Sequence, residues 1–196
     1  FSLWFDGACG EGPNGKKQVC DWTAYYRLIR KLQPGAVISV CGPDVRWCGN
    51  EAGRCRTSEW SVVPAALAMA EYVQERSQKE DDASFSRKFS SRDDDLGSRE
   101  AIQGVRDLIW YPAEVNTSIR PGWFYHSSQD NQVRTTDELL RIYYSSVGGN
   151  ACLLLGVPPD RRGLIHERDV AVLTELGKII RDTFSTDLAS QARAVA

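Results

Sequence analysis

Ala36-Val37-Ile38-Ser39-Val40-Cys41 is the stretch on which the reading of the fold turns. It is apolar but for one serine, β-branched at Val37, Ile38 and Val40, and bounded by Pro34-Gly35 and Gly42-Pro43-Asp44. Such a run fits a strand covered on both faces, as the strands of a parallel sheet are. Parallel strands need a crossover, and one precedes it. Trp22, Tyr25, Tyr26, Ile29 and Leu32 fall on one face of a helix that Asp21 can cap and Pro34-Gly35 stops. Further upstream, Ser2 to Asp6 reads as a short buried strand, ended by Gly7 and a Gly/Pro/Asn-rich loop to Gly15.

The alternation returns downstream of an irregular middle. Residues 42–64 are rich in Gly, Trp and Cys and show no clear period. Ala65 to Glu75 is expected as a helix, and residues 76–100, with Lys79-Glu80-Asp81-Asp82 and Asp93-Asp94-Asp95, as a solvated loop. Asp107 to Tyr111 is a candidate strand. Thr135 to Glu138 forms a capping box ahead of Leu139, Leu140, Tyr143, Tyr144 and Val147, and Gly148-Gly149 ends that helix. Ala151 to Val157 is another apolar strand, closed by Pro158-Pro159. Val170, Leu173, Leu176, Ile180 and Phe184 mark a last helix.

Strands alternating with helices argue for right-handed βα units around a parallel sheet, an α/β fold. A closed eight-unit barrel of ~250 residues spends ~31 on each unit. With long loops, this chain then makes about the C-terminal half of a (β/α)8-like barrel. An open doubly wound sheet is the alternative. Residues 1–184 are expected as the partial barrel domain and 185–196 as a linker or tail.

Composition removes several classes. The 196 residues carry 24 Lys+Arg against 26 Asp+Glu, and 42% are hydrophobic. That excludes a disordered chain and a strongly basic nucleic-acid binder. No apolar stretch approaches the ~20 residues that span a bilayer, so no membrane insertion is expected. The chain opens on Phe1-Ser2-Leu3-Trp4 without Met or a charged n-region, which reads as a start inside a strand of a longer protein. The compartment stays open, secreted and periplasmic locations included. The six cysteines form no Cys-x-x-Cys pair, and His126 and His166 lie far from the cysteine cluster, which argues against zinc and for free thiols.

Two patterns invite chemistry. Gly10-Glu11-Gly12-Pro13-Asn14-Gly15-Lys16-Lys17 nearly matches a phosphate-binding loop. Lys17 stands where a hydroxyl would hold magnesium, and Pro13 removes a backbone N–H from the cradle. The second pattern is stronger. Asp6 ends the first strand, Glu51 lies in the loop after the second, and Glu114 follows a third, with Trp4, Trp47, Trp60, Trp110 and Trp123 near them in sequence. In a parallel barrel the C-terminal strand ends converge on the active face. Tryptophan faces stack on the C–H surfaces of sugars, while paired carboxylates serve glycoside hydrolysis.

At these residues the chain resembles the α-L-fucosidase family of glycoside hydrolases. The motifs are Trp4-Phe5-Asp6-Gly7-Ala8, Val40-Cys41-Gly42-Pro43-Asp44-Val45-Arg46-Trp47, Gly49-Asn50-Glu51-Ala52-Gly53 and Ser58-Glu59-Trp60-Ser61-Val62-Val63-Pro64. Trp110-Tyr111-Pro112-Ala113-Glu114-Val115, Ser118-Ile119-Arg120-Pro121-Gly122-Trp123-Phe124-Tyr125-His126, Ser146-Val147-Gly148-Gly149-Asn150 and Pro158-Pro159-Asp160-Arg161-Arg162-Gly163 extend the match to about residue 184. The pattern is similar to that of the subgroup preferring α1,3/α1,4-linked fucose.

The resemblance implies a retaining hydrolase acting on fucosylated oligosaccharides or glycoconjugates, with Asp6 as nucleophile and Glu51 as acid/base. Trp123 and Glu114 are then expected to line the sugar site. No metal or organic cofactor is implied. The implied partner within the protein is the N-terminal half of the barrel, which in the family supplies the first strands and histidines that bind fucose hydroxyls. Cys20, Cys48 and Cys152 depart from the aromatic, aliphatic or small residues expected there. A non-catalytic fucose-binding remnant is the competing expectation, and a nucleotide-binding protein a distant third.

Overall fold

The computed structural model describes residues 1–5, 19–40, 42–68 and 95–193. They belong to an α/β chain of two compact units, one of Phe1–Thr117 with Tyr143–Leu154 and one of Ser118–Ile142 with Leu155–Ala196. The described elements are β1 (Ser2–Phe5), α1 (Trp22–Leu32), β2 (Val37–Val40), β3 (Arg46–Trp47), β4 (Val62–Pro64), β5 (Leu108–Trp110), β6 (Ala113–Ser118), α2 (Thr136–Ser146), β7 (Ala151–Gly156) and α3 (Glu167–Thr183). None of these helices is long and apolar enough to cross a membrane.

The first unit opens with the expected βαβ crossover. β1 and β2 pair in parallel, Ser2 opposite Val37 through Phe5 opposite Val40. Asp21 caps α1 by accepting from the Ala24 N–H at 2.9 Å. The apolar helix face sets Ile29 against Ala36, Ile38 and Leu3, and Trp22 against Val40, Phe5 and Trp47. Arg30, in the last turn, bonds the Ala36 carbonyl at 2.6 Å and both oxygens of Asp44.

Asp44 makes possible an unusually short parallel connection. A parallel bridge joins Ser39 to Val45, only six positions on, where a helical crossover is usual. The Asp44 carboxylate accepts from the Ile38 N–H at 2.8 Å, and the Asp44 N–H donates to the Ile38 carbonyl at 3.2 Å. Gly42 is packed so closely that a Cβ would stand 2.4 Å from the Ile38 carbonyl oxygen. Val40 takes φ +69°, a strained value for a β-branched residue. The Tyr111 hydroxyl holds this corner by donating to the Gly42 carbonyl at 2.7 Å.

β3 pairs in parallel with β6, Arg46 opposite Ala113 and Trp47 opposite Glu114, and β6 is bonded in turn to β7. With the Ser39–Val45 bridge, β1, β2, β3 and β6 make one parallel row. The sheets formed by the described residues are not closed.

Several expectations change. Asp107 to Tyr111 does hold a strand, but β5 runs antiparallel to β4, so it is not a further parallel unit. Ala65 begins a 3-10 turn ending at Ala68, and 69–94 lie outside the described residues. Of the expected loop to residue 100, the described end is a turn in which Leu96 is buried with Val63, Leu67 and Tyr111. The tail contains a 3-10 turn, Leu188–Gln191. β3, β4 and β6 were not legible as strands. Two are two or three residues long, and β6 reads Ala-Glu-Val-Asn-Thr-Ser, polar at every second position although all six residues are buried.

The second unit buries Ile119, Leu139 and Leu176, with Val133, Leu155, Val172 and Ile180 packed on them. The capping box ahead of α2 is complete. Glu138 accepts from the Thr135 N–H at 2.7 Å, and the Thr135 hydroxyl accepts from the Glu138 N–H at 3.3 Å. Buried Arg120 pairs with buried Asp169 of α3 and with Asp130, each at 2.9 Å, and lies over the Tyr125 ring at 4.9 Å.

Candidate active site

The parallel row of the first unit carries a concave face. Trp4 of β1 donates its indole N–H to the Glu114 Oε1 of β6 at 2.7 Å. β2 and β3 stand between these strands, so a flat sheet would separate them by about 14 Å, three spacings of ~4.8 Å. Side chains standing off a flat sheet do not meet across that distance. The row therefore curls, with Trp4 and Glu114 inside the curve. Asn116 lies two residues beyond Glu114, on the same face of β6. It accepts from the Trp47 indole N–H at 2.8 Å. Two strand tryptophans thus each hold one polar side chain of β6.

Glu114 is not in a loop past a strand end, as its sequence context suggested. It is 6% exposed and is the second residue of β6. Burial pushes its carboxyl above the ordinary range, and the Trp4 hydrogen bond brings it part of the way back. Trp4 itself is 39% exposed, so the face carries aromatic surface open to a ligand. Asn116 and Thr117, the first residues of an Asn-x-Ser glycosylation pattern, are buried, and the Asn116 carboxamide is engaged by Trp47.

Asp6 lies outside the described residues, as does the phosphate-loop-like run from Gly10 to Lys17. Glu51 is described: it is exposed, in the bend that follows β3. Asn50 shapes that bend, accepting from the Ala52 N–H at 3.0 Å and donating to the Arg54 carbonyl at 2.9 Å. Gly49 and Gly53 flank it at φ +102° and +74°, values that L side chains rarely adopt.

The foot of this loop is a buried ion cluster that the sequence did not disclose. Glu59 is 1% exposed. It bonds Arg46 at 2.7 Å through Oε2 and Arg56 at 2.9 Å through Oε1, which also accepts from the Arg56 N–H. Arg46 donates as well to the Tyr111 and Trp60 carbonyls. Burial pushes Glu59 up, but the two guanidinium charges outweigh it and hold the carboxyl below its usual range. Asn150, at φ +68°, donates to the Glu59 carbonyl at 2.7 Å. Arginine and glutamate thirteen positions apart follow no period, so their pairing had no sequence signal beyond the motif that contains Glu59.

Trp123 belongs to the second unit and is half-buried in the turn after Arg120. That unit has a cleft of about 370 Å³ lined in part by Tyr125, Asp160, Arg162 and His166. Within it Arg162 bonds Asp160 at 2.6 Å and Glu167 at 2.8 Å. Cys20, Cys48, Cys55 and Cys152 are free thiols, and Cys9 and Cys41 lie outside the described residues. Burial pushes Cys48 up to about 11, which keeps it a protonated packing residue.

The comparisons with known proteins agree with one another. The family model described as alpha-L-fucosidase matches residues 2–183. Alpha-L-fucosidase 1 of Arabidopsis thaliana is 39% identical over 191 residues, 97% of this chain and 33% of the relative. A crystal structure of a candidate alpha-L-fucosidase from Bacteroides ovatus is 47% identical at a TM-score of 0.79, covering 94% of this chain and 31% of that one. A glycoside hydrolase 29 family member from an unknown rumen bacterium is 31% identical at a TM-score of 0.72, covering 100% of this chain and 33% of its own. The chain spans about a third of the length of the curated relatives it matches.

Proposed function

The chain belongs to the alpha-L-fucosidase family, and we propose that it serves as the C-terminal part of the (β/α)8-like catalytic barrel of a retaining alpha-L-fucosidase. The substrate is fucose in α1,3 or α1,4 linkage on oligosaccharides or glycoconjugates. The observation that carries this reading is the curled row of parallel strands. Its concave face holds Trp4, Trp47, Glu114 and Asn116 together, Asp6 directly follows β1 in sequence, and Glu51 follows β3.

The chemistry runs in two displacements. The Asp6 carboxylate attacks the anomeric carbon of fucose while Glu51, protonated, gives its proton to the departing oxygen. A fucosyl ester of Asp6 forms and the glycosidic bond breaks. Glu51, now ionised, takes a proton from water, whose oxygen attacks the same carbon and releases Asp6. Two inversions give net retention, and the carboxyl groups need to stand about 5–5.5 Å apart, since no water fits between nucleophile and sugar. Glu114 contributes to the sugar site, and Trp4 offers an aromatic face for the C–H surface of the ring.

The test is hydrolysis of an aryl α-L-fucoside by the natural polypeptide that carries this chain, followed by proton NMR from the first turnovers. The α anomer of fucose should form first and then mutarotate. The β anomer forming first would overturn the retaining mechanism. Saturable fucose binding without turnover would favour the non-catalytic reading.

A further inference from the structure

We propose that Asn50 is the positioning residue for Glu51, and that its carboxamide sets how well Glu51 protonates a leaving group. The inference rests on the reading of Glu51 as acid/base. A general acid has to come within hydrogen-bond reach of the oxygen it protonates. A glutamate on an exposed loop has many backbone and side-chain conformations, most of them unproductive. The bend that carries Glu51 is restrained at two levels.

The inner restraint is Asn50. Its Oδ1 accepts from the Ala52 N–H at 3.0 Å and its Nδ2 donates to the Arg54 carbonyl at 2.9 Å, so one side chain closes two rings over Glu51. Gly49 and Gly53 supply positive φ on either side. The Cys48 thiol donates to the Asn50 carbonyl at 3.4 Å, fixing the start of the bend. The outer restraint is Glu59. Arg46 precedes the loop and Arg56 ends it, and the two oxygens of this one carboxylate bind both. The loop is thus clasped at its foot and shaped from within.

Asparagine is the residue type that does both inner jobs. Aspartate keeps an acceptor for Ala52 but loses the donor for Arg54, and alanine loses both. That gives a graded series, read on a set of aryl α-L-fucosides of increasing leaving-group ability with the natural polypeptide carrying this chain. Removing a general acid costs roughly 10²–10⁴-fold when the leaving group is poor and little when it departs unprotonated. Asn50→Ala should therefore steepen the dependence of kcat/KM on leaving-group pKa. The expected loss is about tenfold to a hundredfold on the poorest leaving group and within about threefold on a nitrophenolate. Asn50→Asp should fall between, and Asn50→Ala should add no steepening on top of Glu51→Ala.

A merely structural role would lower every substrate by one factor and leave the slope alone. That result for Asn50→Ala, beside a steepened Glu51→Ala, would overturn the inference while the assignment of Glu51 stands. An unchanged slope for Glu51→Ala would overturn that assignment and the inference with it. Should Asn50→Ala fail to fold, Asn50→Asp decides alone, and a folded Asn50→Asp enzyme of unchanged slope counts against the proposal.

Discussion

The indole N–H of Trp4 donates to the buried carboxyl of Glu114 at 2.7 Å and ties the first strand of the parallel row to the fourth. The bond ranks above an ordinary packing contact for two reasons. It spans two intervening strands, so it fixes the curl of the row. It also gives a hydrogen-bond donor to a carboxyl that burial has pushed toward its protonated form.

The first prediction concerns that carboxyl. Because the folded state raises the pKa of Glu114, the folded state binds its proton more tightly than the unfolded chain does. Its contribution to stability is present below the ordinary glutamate value and is lost as pH rises through the higher folded value. Glu114→Gln keeps an oxygen for Trp4 and cannot ionise. The variant should gain stability relative to the parent as pH rises across that window, measured by urea unfolding at a series of pH values. Trp4→Phe leaves the buried carboxyl without this donor and should cost about 1–3 kcal/mol. A Glu114→Gln difference that does not vary with pH would contradict the raised value.

Glu59 predicts the opposite sign. Its folded pKa is lowered, so its stabilisation is present above the unfolded value and disappears as pH falls through the lower folded one. Glu59→Ala leaves Arg46 and Arg56 buried without their carboxylate and should cost about 3–5 kcal/mol at neutral pH. Denaturant unfolding reads the cost, and a loss under about 1 kcal/mol would mean that water already reaches the cluster.

What could be read beforehand follows from where each element draws its stability. α1, β2, α2 and α3 rest on local features: an apolar face at helical spacing, Asp21 as a cap, the Thr135–Glu138 box, and a continuous apolar run bounded by turn residues. β3 and β6 rest on one another. Arg46-Trp47 has no period, and Glu114, Asn116 and Ser118 read as exposed positions until Trp4, Trp47 and the turn at Gly122 supply their partners. The same cause explains the site. Asp6 and Glu51 lie in contiguous motifs, whereas Arg46, Glu59 and Asn150 act through contacts far apart in sequence. Glu114 stands out through its motif, but its burial is tertiary.

The third prediction tests the half-barrel reading. Among the described residues β1 pairs with β2 alone, and Phe1 and Trp4 are exposed beside it. An edge of this kind accepts further strands, and exposed aromatic surface drives association. The 196-residue chain prepared alone should self-associate in analytical ultracentrifugation. The natural polypeptide carrying it should show less exposed apolar surface by dye binding. A monodisperse monomer of the isolated chain with a cooperative melt would speak for a self-sufficient domain instead.

The last prediction concerns Asp6. Asp6→Gly in the natural polypeptide should abolish nearly all turnover of an aryl α-L-fucoside, because the first displacement loses its nucleophile. Glycine also leaves a space the size of the carboxylate on the face of the sugar opposite the leaving group. A small anion such as azide can enter there and attack the anomeric carbon directly. The aryl oxide departs with the bonding electrons, and a fucosyl azide forms in a single displacement. One inversion replaces two, so this product should have the β configuration, whereas the proposed double displacement retains α. Rescue should rise with azide concentration and then saturate, and proton NMR of the azide reports the configuration. In Glu51→Ala the nucleophile remains, so azide there should intercept the fucosyl ester and give the α product. Opposite configurations from the two variants would identify the separate roles of Asp6 and Glu51. Normal activity of Asp6→Gly, or the same configuration from both, would remove Asp6 as the nucleophile.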